Sequence, residues 1–384
     1  MQAPTESDVM MQTIYFDNAA TTKPCPEAVE AFMQTVEHFG NPSSAHTVGA
    51  RAAEMLIRAR TQVAFAIGAQ PDEITFTSGG TEADNLAIRG ACDANKQARK
   101  VIISAVEHPA VYRVCRYLKK QGYEIVKIAC SMDGFINEEQ LLRAVDEQTA
   151  LVSFMMVNNE TGTIFPIKRI AQLVKEKCPT TLVHTDAVQA LGKFTINVAD
   201  LGVDMLTLSA HKVGGFKGAG ALYVRSGVEI YPLVFGGGQE AGLRSGTEAT
   251  PALCAFGAAA KAAAANIDTF QKNAAAIKAR IVAGLGELDG CVINSAPNGS
   301  PSILNFTALG HDAATLLAAL SERGICISKG AACKTNHKNG PSMLMSFGLE
   351  VARADNALRL SFGVQNTLDE ADIFLAHLRE ILSR

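Results

Sequence analysis

The chain has 384 residues, 48% of them hydrophobic and 19% charged, with a formal net charge of −3. That length supports one large core and a second, smaller one, and the composition is ordinary for a soluble globular protein. The near-neutral balance gives no electrostatic reason to expect nucleic acid or an anionic membrane as a partner.

Residues 1–13 are polar and acidic, with no basic stretch followed by an apolar one, so they are expected to form a flexible tail rather than a secretion signal. Short β-rich runs then alternate with helical periodicity. Strands are predicted at Glu73–Thr77, Val101–Ser104, Glu124–Ile128, Leu151–Val157, Leu182–Thr185, Asp204–Leu208 and Ala221–Val224. Helices are predicted between them, among them Arg51–Ile67, Ala110–Gln121 and Ile167–Lys177. Strands separated by helices of this length imply an α/β fold around a mainly parallel, doubly wound sheet. A long Ala- and Lys-rich helical stretch follows, Ala252–Leu288. It contains the most apolar run of the chain, but Lys261 interrupts that run and makes a packed helix the better reading than a membrane span. Beyond it, short strands at Ser302–Thr307, Ile325–Ser328 and Ala357–Phe362 suggest a smaller α+β domain. The expected division is 14–258 for a large domain, whose first residues are free to pack on the small one, and 259–384 for the small domain.

Nine cysteines without CxxC spacing argue against a disulfide framework or structural zinc, and for a reducing cytoplasm. Cys115, Cys130, Cys254 and Cys326 lie in apolar surroundings and are expected to be buried. Cys333 differs. It stands at the head of a basic, Gly- and Asn-containing stretch with Lys334, His337 and Lys338, a setting that favours the thiolate and exposure.

The strand ends carry the other signals. Asp186 closes an apolar run, and Lys212, 26 residues later, follows another. A buried carboxylate that keeps a pyridine nitrogen protonated and a desolvated lysine amine are the two groups pyridoxal phosphate requires. Both belong at carboxyl ends of strands, where open α/β sheets bind ligands. The run Thr77-Ser-Gly-Gly-Thr81-Glu82 joins a strand to a helix, and its free amides and hydroxyl suit a phosphate, although a simple capped turn has the same composition. His108 and the pair Asn158-Asn159 end two further runs, where structural and ligand-binding roles are both open. The Gly-rich run from Gly236 to Thr247 reads either as a flexible surface loop or as a phosphate contact made to a neighbouring subunit. Arg359, a cation inside a strand-like apolar run, suits a substrate carboxylate.

Together these motifs resemble the cysteine desulfurases of the class V aminotransferase group, from Tyr15 to about Gly363. The resemblance rests on Tyr15-Phe-Asp-Asn-Ala-Ala-Thr-Thr22, Gly40-Asn-Pro-Ser-Ser44 with His46, Thr77–Glu82, Val157–Glu160, Asp186–Gln189, Ser209–Lys212 and Arg244–Thr247. It implies pyridoxal-phosphate fold type I, aspartate-aminotransferase-like, with a seven-stranded sheet in the large domain, and a homodimer. It makes Lys212 the Schiff-base lysine, Asp186 the partner of the ring nitrogen, Gln189 the partner of the ring hydroxyl oxygen and His108 a stacking acid/base. Gly80, Thr81, Ser209 and His211 would hold the phosphate, joined by Thr247 of the second subunit. Asn159 and Arg359 would bind the carboxylate of L-cysteine, and Cys333 would accept its sulfur as a persulfide. The long Cys333-to-Arg359 segment is like that of the group with a mobile loop, 328–342 here, that hands sulfur to scaffold or carrier proteins serving iron–sulfur clusters or tRNA thiolation. No metal is implied.

Departures are Gly330-Ala-Ala-Cys333-Lys334 for the usual Gly-Ser-Ala-Cys with Ser or Thr, Ala241 for an Arg, and Glu248-Ala249 for an Asn. A selenocysteine lyase, another class V pyridoxal enzyme, or a non-catalytic sulfur-transfer scaffold are the alternatives.

Overall fold

The computed structural model describes residues 13–329 and 343–383. In chain order its strands are β1 Ile14–Tyr15, β2 Ile74–Thr77, β3 Lys100–Ser104, β4 Glu124–Ile128, β5 Thr149–Ser153, β6 Leu182–Asp186, β7 Met205–Ser209, β8 Gly220–Val224, β9 Cys291–Ile293, β10 Ile303–Ala308, β11 Ile325–Cys326, β12 Ser328–Lys329 and β13 Ala357–Ser361. Seven of them form the large sheet in the order β2-β8-β7-β6-β5-β3-β4. Only β8 runs against its neighbours β2 and β7. The parallel pairs β3/β4, β3/β5, β5/β6 and β6/β7 form the rest. The fold is therefore α/β with a mainly parallel seven-stranded sheet, and the seven strands are those the apolar runs predicted.

Strands β3, β5, β6 and β7 are buried along nearly their whole length because helices cover both faces. On one face pack Gly80–Ala94 and Pro109–Lys120, through Leu86, Ile88, Val111 and Val114. On the other pack Thr47–Ile67 and Ile167–Lys177, through Leu56, Val63, Ile170 and Val174. The predicted strand Leu151–Val157 is shorter. The strand ends at Ser153, and Phe154, Met155 and Val157 stay buried while the chain turns toward the cavity.

The long helical stretch is two helices, Thr250–Ala264 and Ile267–Gly286. The first packs Cys254, Phe256 and Ala260 into the large core, and the second packs Phe270, Ile277 and Ile281 into another. The change of core thus falls between Ala260 and Phe270. The second core is built around the antiparallel sheet β12-β13-β10-β9, with Leu304, Phe306, Leu358 and Leu360, and around the helix Leu368–Leu382. Phe16 joins it edge-on to Phe362 at 5.4 Å. Strand β1 pairs in parallel with β11, Ile14 opposite Ile325. Two strands, β1 and β9, had no counterpart in the sequence reading.

Among the described residues, no helix is long and apolar enough to cross a membrane. The eight described cysteines are free thiols. Cys115, Cys130 and Cys254 are buried, but Cys326 is only partly so, because β11 lies at the edge of a two-stranded ribbon.

Candidate active site

A cavity of about 340 Å³ opens at the carboxyl ends of β5, β6 and β7. Parallel strands leave their last carbonyls and the following turns on one side of a sheet, so residues far apart in sequence converge there. Gly80, Thr81, His108, Asn159, Asp186, Gln189, Ser209, His211, Lys212 and Arg359 all line it. Thr247 is exposed and does not line it. Cys333 lies outside the described residues.

Asp186 is the last residue of β6 and is 7% exposed. It accepts a hydrogen bond from the amide of Val188 at 2.9 Å. Burial pushes its carboxyl up, opposed by His108 and Lys212. Such a dry carboxyl ionises readily once a cation is brought against it. Lys212 ends a single 3-10 turn after β7. Its Nζ donates to the carbonyls of Ala19 at 2.5 Å and Ala20 at 2.7 Å. Burial, with Arg359 adding, lowers its ammonium to about 8, so a useful fraction is free amine near neutrality.

The helix Gly80–Ala94 points its N-terminus at the cavity. Its N-cap, Gly79, has φ 154° and ψ 177°, a region open to glycine alone. A Cβ on Gly80 would come 2.9 Å from Val188 Cγ2, so the closeness of this turn to the Asp186 loop also depends on glycine. Beside it the Oγ of Ser209 is buried with no partner. Free amides and an idle hydroxyl are what an anion needs. His211 packs at the same end, its Nδ1 3.2 Å from Thr21 Oγ1, and burial lowers its imidazole to about 4.

His108 caps the helix Pro109–Lys120, its Nδ1 accepting from the Ala110 amide at 3.2 Å. Burial lowers its pKa, which favours the neutral imidazole, while Asp186 acts in the other direction. Gln189 is gripped at both ends: its Nε2 donates to the Ala19 carbonyl at 2.9 Å, and Lys193 Nζ donates to its Oε1 at 3.0 Å.

At the opposite end Arg359, on β13, donates from Nη2 to Asp17 Oδ1 at 2.6 Å and from Nη1 to the Asn159 carbonyl at 3.0 Å. Its Nε and the Asn159 Oδ1 are buried without partners. A carboxylate would find a donor in the Nε, and on Asn159 only the amide nitrogen can donate to it. Asn158, by contrast, is structural: its Oδ1 accepts from the Glu160 and Thr161 amides and its Nδ2 donates to the Val106 carbonyl.

The orphaned polar atoms, the charges and the cradle at Gly80 fit pyridoxal phosphate: an anion site, a carboxyl for a ring cation, an amine for an aldehyde and an arginine for a substrate carboxylate. Several contributors escaped the sequence reading. Asp17, Ala19 and Ala20 come from the Tyr15–Thr22 motif, whose order was visible but whose partners lie far along the chain. Asp84 is 1% exposed with an unpartnered Oδ1, and its carboxyl is raised well above the usual range by burial and by Asp186. Burial raises Glu107 to about 8, although Ser104 Oγ donates to it at 2.5 Å. Both are acids in segments that read as a helix interior and a strand end.

The Gly-rich run is tied to the large sheet rather than loose. Glu240 accepts both guanidinium nitrogens of Arg60 at 2.7 and 2.8 Å and the Phe76 amide at 2.7 Å, while Arg244 pairs with Glu82 at 2.9 Å. Glu240 and Ala241 carry φ of 51° and 54°.

Residues 14–374 match the class-V aminotransferase family. The chain is 39% identical to the cysteine desulfurase of Trichormus azollae over 379 residues, 97% of this chain and 94% of that one. A solved NifS-like protein superposes with a TM-score of 0.92 at 37% identity, covering 97% of this chain and 99% of its own. The structure of SspA in complex with cysteine has a TM-score of 0.79 at 34% identity, covering 91% and 99%. This chain belongs to the class-V aminotransferase family, among the cysteine desulfurases.

Proposed function

We propose that the chain is a pyridoxal-phosphate-dependent cysteine desulfurase that converts L-cysteine to L-alanine and passes the sulfur to Cys333 as a persulfide. The observation that carries this reading is the convergence of Lys212, Asp186 and Arg359 on one cavity. When bound, the cofactor supplies an electron sink for the bond broken at the substrate's α-carbon. In this reading Gly80, Thr81, Ser209 and His211 hold its phosphate, with Thr247 of the second subunit of a homodimer. Asp186 holds the proton on the ring nitrogen, Gln189 bonds the ring oxygen and His108 stacks on the ring.

Arg359 and Asn159 bind the substrate carboxylate, the idle Nε of the arginine donating to it beside the amide nitrogen of Asn159. Asp17 aims the guanidinium from behind. The Lys212 amine takes the α-proton, a role suited by its lowered pKa. His108, neutral by burial, takes the proton of the substrate thiol or of Cys333. The Cys333 thiolate then attacks the substrate sulfur. The S–S bond forms as the C–S bond breaks, the electron pair stays on the β-carbon, and protonation there together with return of the α-proton yields alanine.

A division into two domains belongs to this reading, supported by the two separate hydrophobic clusters, which put the change after Ala260, a little beyond the expected 258/259, and assign Ile14 and Phe16 to the smaller core. So does a cytoplasmic enzyme that delivers sulfur to a scaffold or carrier protein for iron–sulfur clusters or tRNA thiolation. The test is to incubate the holoenzyme with L-cysteine, quantify alanine and map added sulfur by mass spectrometry. Alanine should appear together with a persulfide on Cys333, and Cys333→Ser should remove both the persulfide and delivery. Alanine release that survives Cys333→Ser would instead identify a lyase.

A further inference from the structure

A second lysine stands behind the cavity. Lys193 is 7% exposed and does not line the cavity itself. Its Nζ donates to Gln189 Oε1 at 3.0 Å, and among the described residues no carboxylate forms an ion pair with it. The charged or titratable groups that face it are Lys212 and Arg359, with His211 nearby. Burial, with both cations adding, lowers its ammonium to about 7.

A buried ammonium without a carboxylate costs stability, and a methionine of similar length would fill the same space without that cost. What the ammonium does here is choose between the two orientations of an amide. With Lys193 donating to one end and the Ala19 carbonyl accepting at the other, only one placement of the Gln189 side chain satisfies both. In that placement the amide nitrogen faces the cavity side. It carries two hydrogens, of which the Ala19 carbonyl takes one. The opposite orientation would set an amide oxygen against a carbonyl oxygen and an NH2 against an ammonium.

We propose that Lys193 is a positioning residue that acts through Gln189: it locks the amide as a donor and makes this end of the cavity electropositive, opposite the acidic end at Asp186. The group so received is the ring oxygen of pyridoxal phosphate in its anionic form. The inference rests on the cofactor assignment of the cavity.

The test uses Lys193→Met and Lys193→Gln, reconstituted with pyridoxal 5′-phosphate. Wild-type protein that takes up no cofactor and shows no yellow absorbance would overturn the cofactor assignment itself. Given uptake, Lys193→Met should bind the cofactor roughly tenfold more weakly, as expected on losing a hydrogen bond to a charged group. The pH at which its yellow absorbance is lost should rise, because removing a nearby positive charge makes the adjacent proton easier to hold. Lys193→Gln keeps a donor and loses the charge, so its midpoint should also rise while its affinity falls less. It carries the test if the methionine variant folds poorly. In a Gln189→Leu background, Lys193→Met should add little to the loss of affinity. Wild-type affinity and midpoint in both single variants would overturn the proposal, as would a Lys193→Met affinity loss that is undiminished when Gln189 is absent.

Discussion

The two ends of the cavity are built from opposite charges that pay the same cost. At the ring-nitrogen end Asp84, Glu107 and Asp186 are 1%, 6% and 7% exposed, and burial raises all three carboxyls. At the other end Lys193 and Lys212 are lowered to about 7 and 8. Dehydration disfavours the charged form of either sign, so acids move up and amines move down. The acid end is assembled from the large sheet and the helix Gly80–Ala94. The basic end needs the 17–20 segment and β13 as well. One end is thus set by a single core, and the other by contacts between two.

Four substitutions would break or sharpen this contrast. The largest effect is expected from Lys212→Ala, which in the proposed mechanism removes both the covalent anchor and the α-proton acceptor. Alanine formation should fall by at least about a thousandfold, and the yellow absorbance should be lost, as measured in steady-state assays and spectra of reconstituted protein. Retention of more than a tenth of the rate would move the proton-transfer role to His108. The next is Arg359→Lys. It keeps the charge but loses the fork that meets Asp17, the Asn159 carbonyl and the substrate together. KM for L-cysteine should rise roughly tenfold to a hundredfold with a smaller change in kcat. An equal fall in kcat with unchanged KM would place the arginine's effect on the transition state alone.

The smallest is a stability effect at the acid end. Glu107 titrates at about 8 when folded against 4.5 in the unfolded chain. Between those values the folded protein holds a proton that the unfolded chain releases, so stability falls as pH rises through that window. Glu107→Gln removes this term, so thermal melts of the apoprotein should show the wild type losing ground to the variant between pH 5 and pH 8. Against Lys212→Met the wild type should instead gain ground as pH rises from about 8 to 10.5, since its unfolded chain binds the extra proton in that window. Parallel melting curves for wild type and Glu107→Gln would mean that Glu107 is ionised in the fold.

Much of the fold was legible because parallel strands covered on both faces read as unbroken apolar runs between turn signals. The elements missed are short ones with distant partners. β1 is two residues long and its partner lies beyond residue 320. The break at Ala265-Asn266 was hidden because neither Gly nor Pro marks it, and the change there is one of core rather than of propensity. In the site, Asp186 and Lys212 were legible from their place after apolar runs. Lys193 was not: it sits on the turn that carries Gln189, and nothing in its neighbours distinguishes a buried lysine from an exposed one. Asp17 was visible only as part of a motif, since its partner is 342 residues away.

The stretch from Ile14 to Thr22 has a consequence for the order in which the molecule is made. It leaves the ribosome about three hundred residues before its strand partner Ile325 and its ionic partner Arg359. During synthesis the large sheet can assemble while this stretch waits, its amides and Asp17 unclaimed. The basic end of the cavity, held by the Ala19 and Ala20 carbonyls and by Asp17, is therefore complete only after β13 has emerged. A chain that stops short of β13 would keep Lys193 and Lys212 but lack Arg359, leaving Asp17 without its ionic partner.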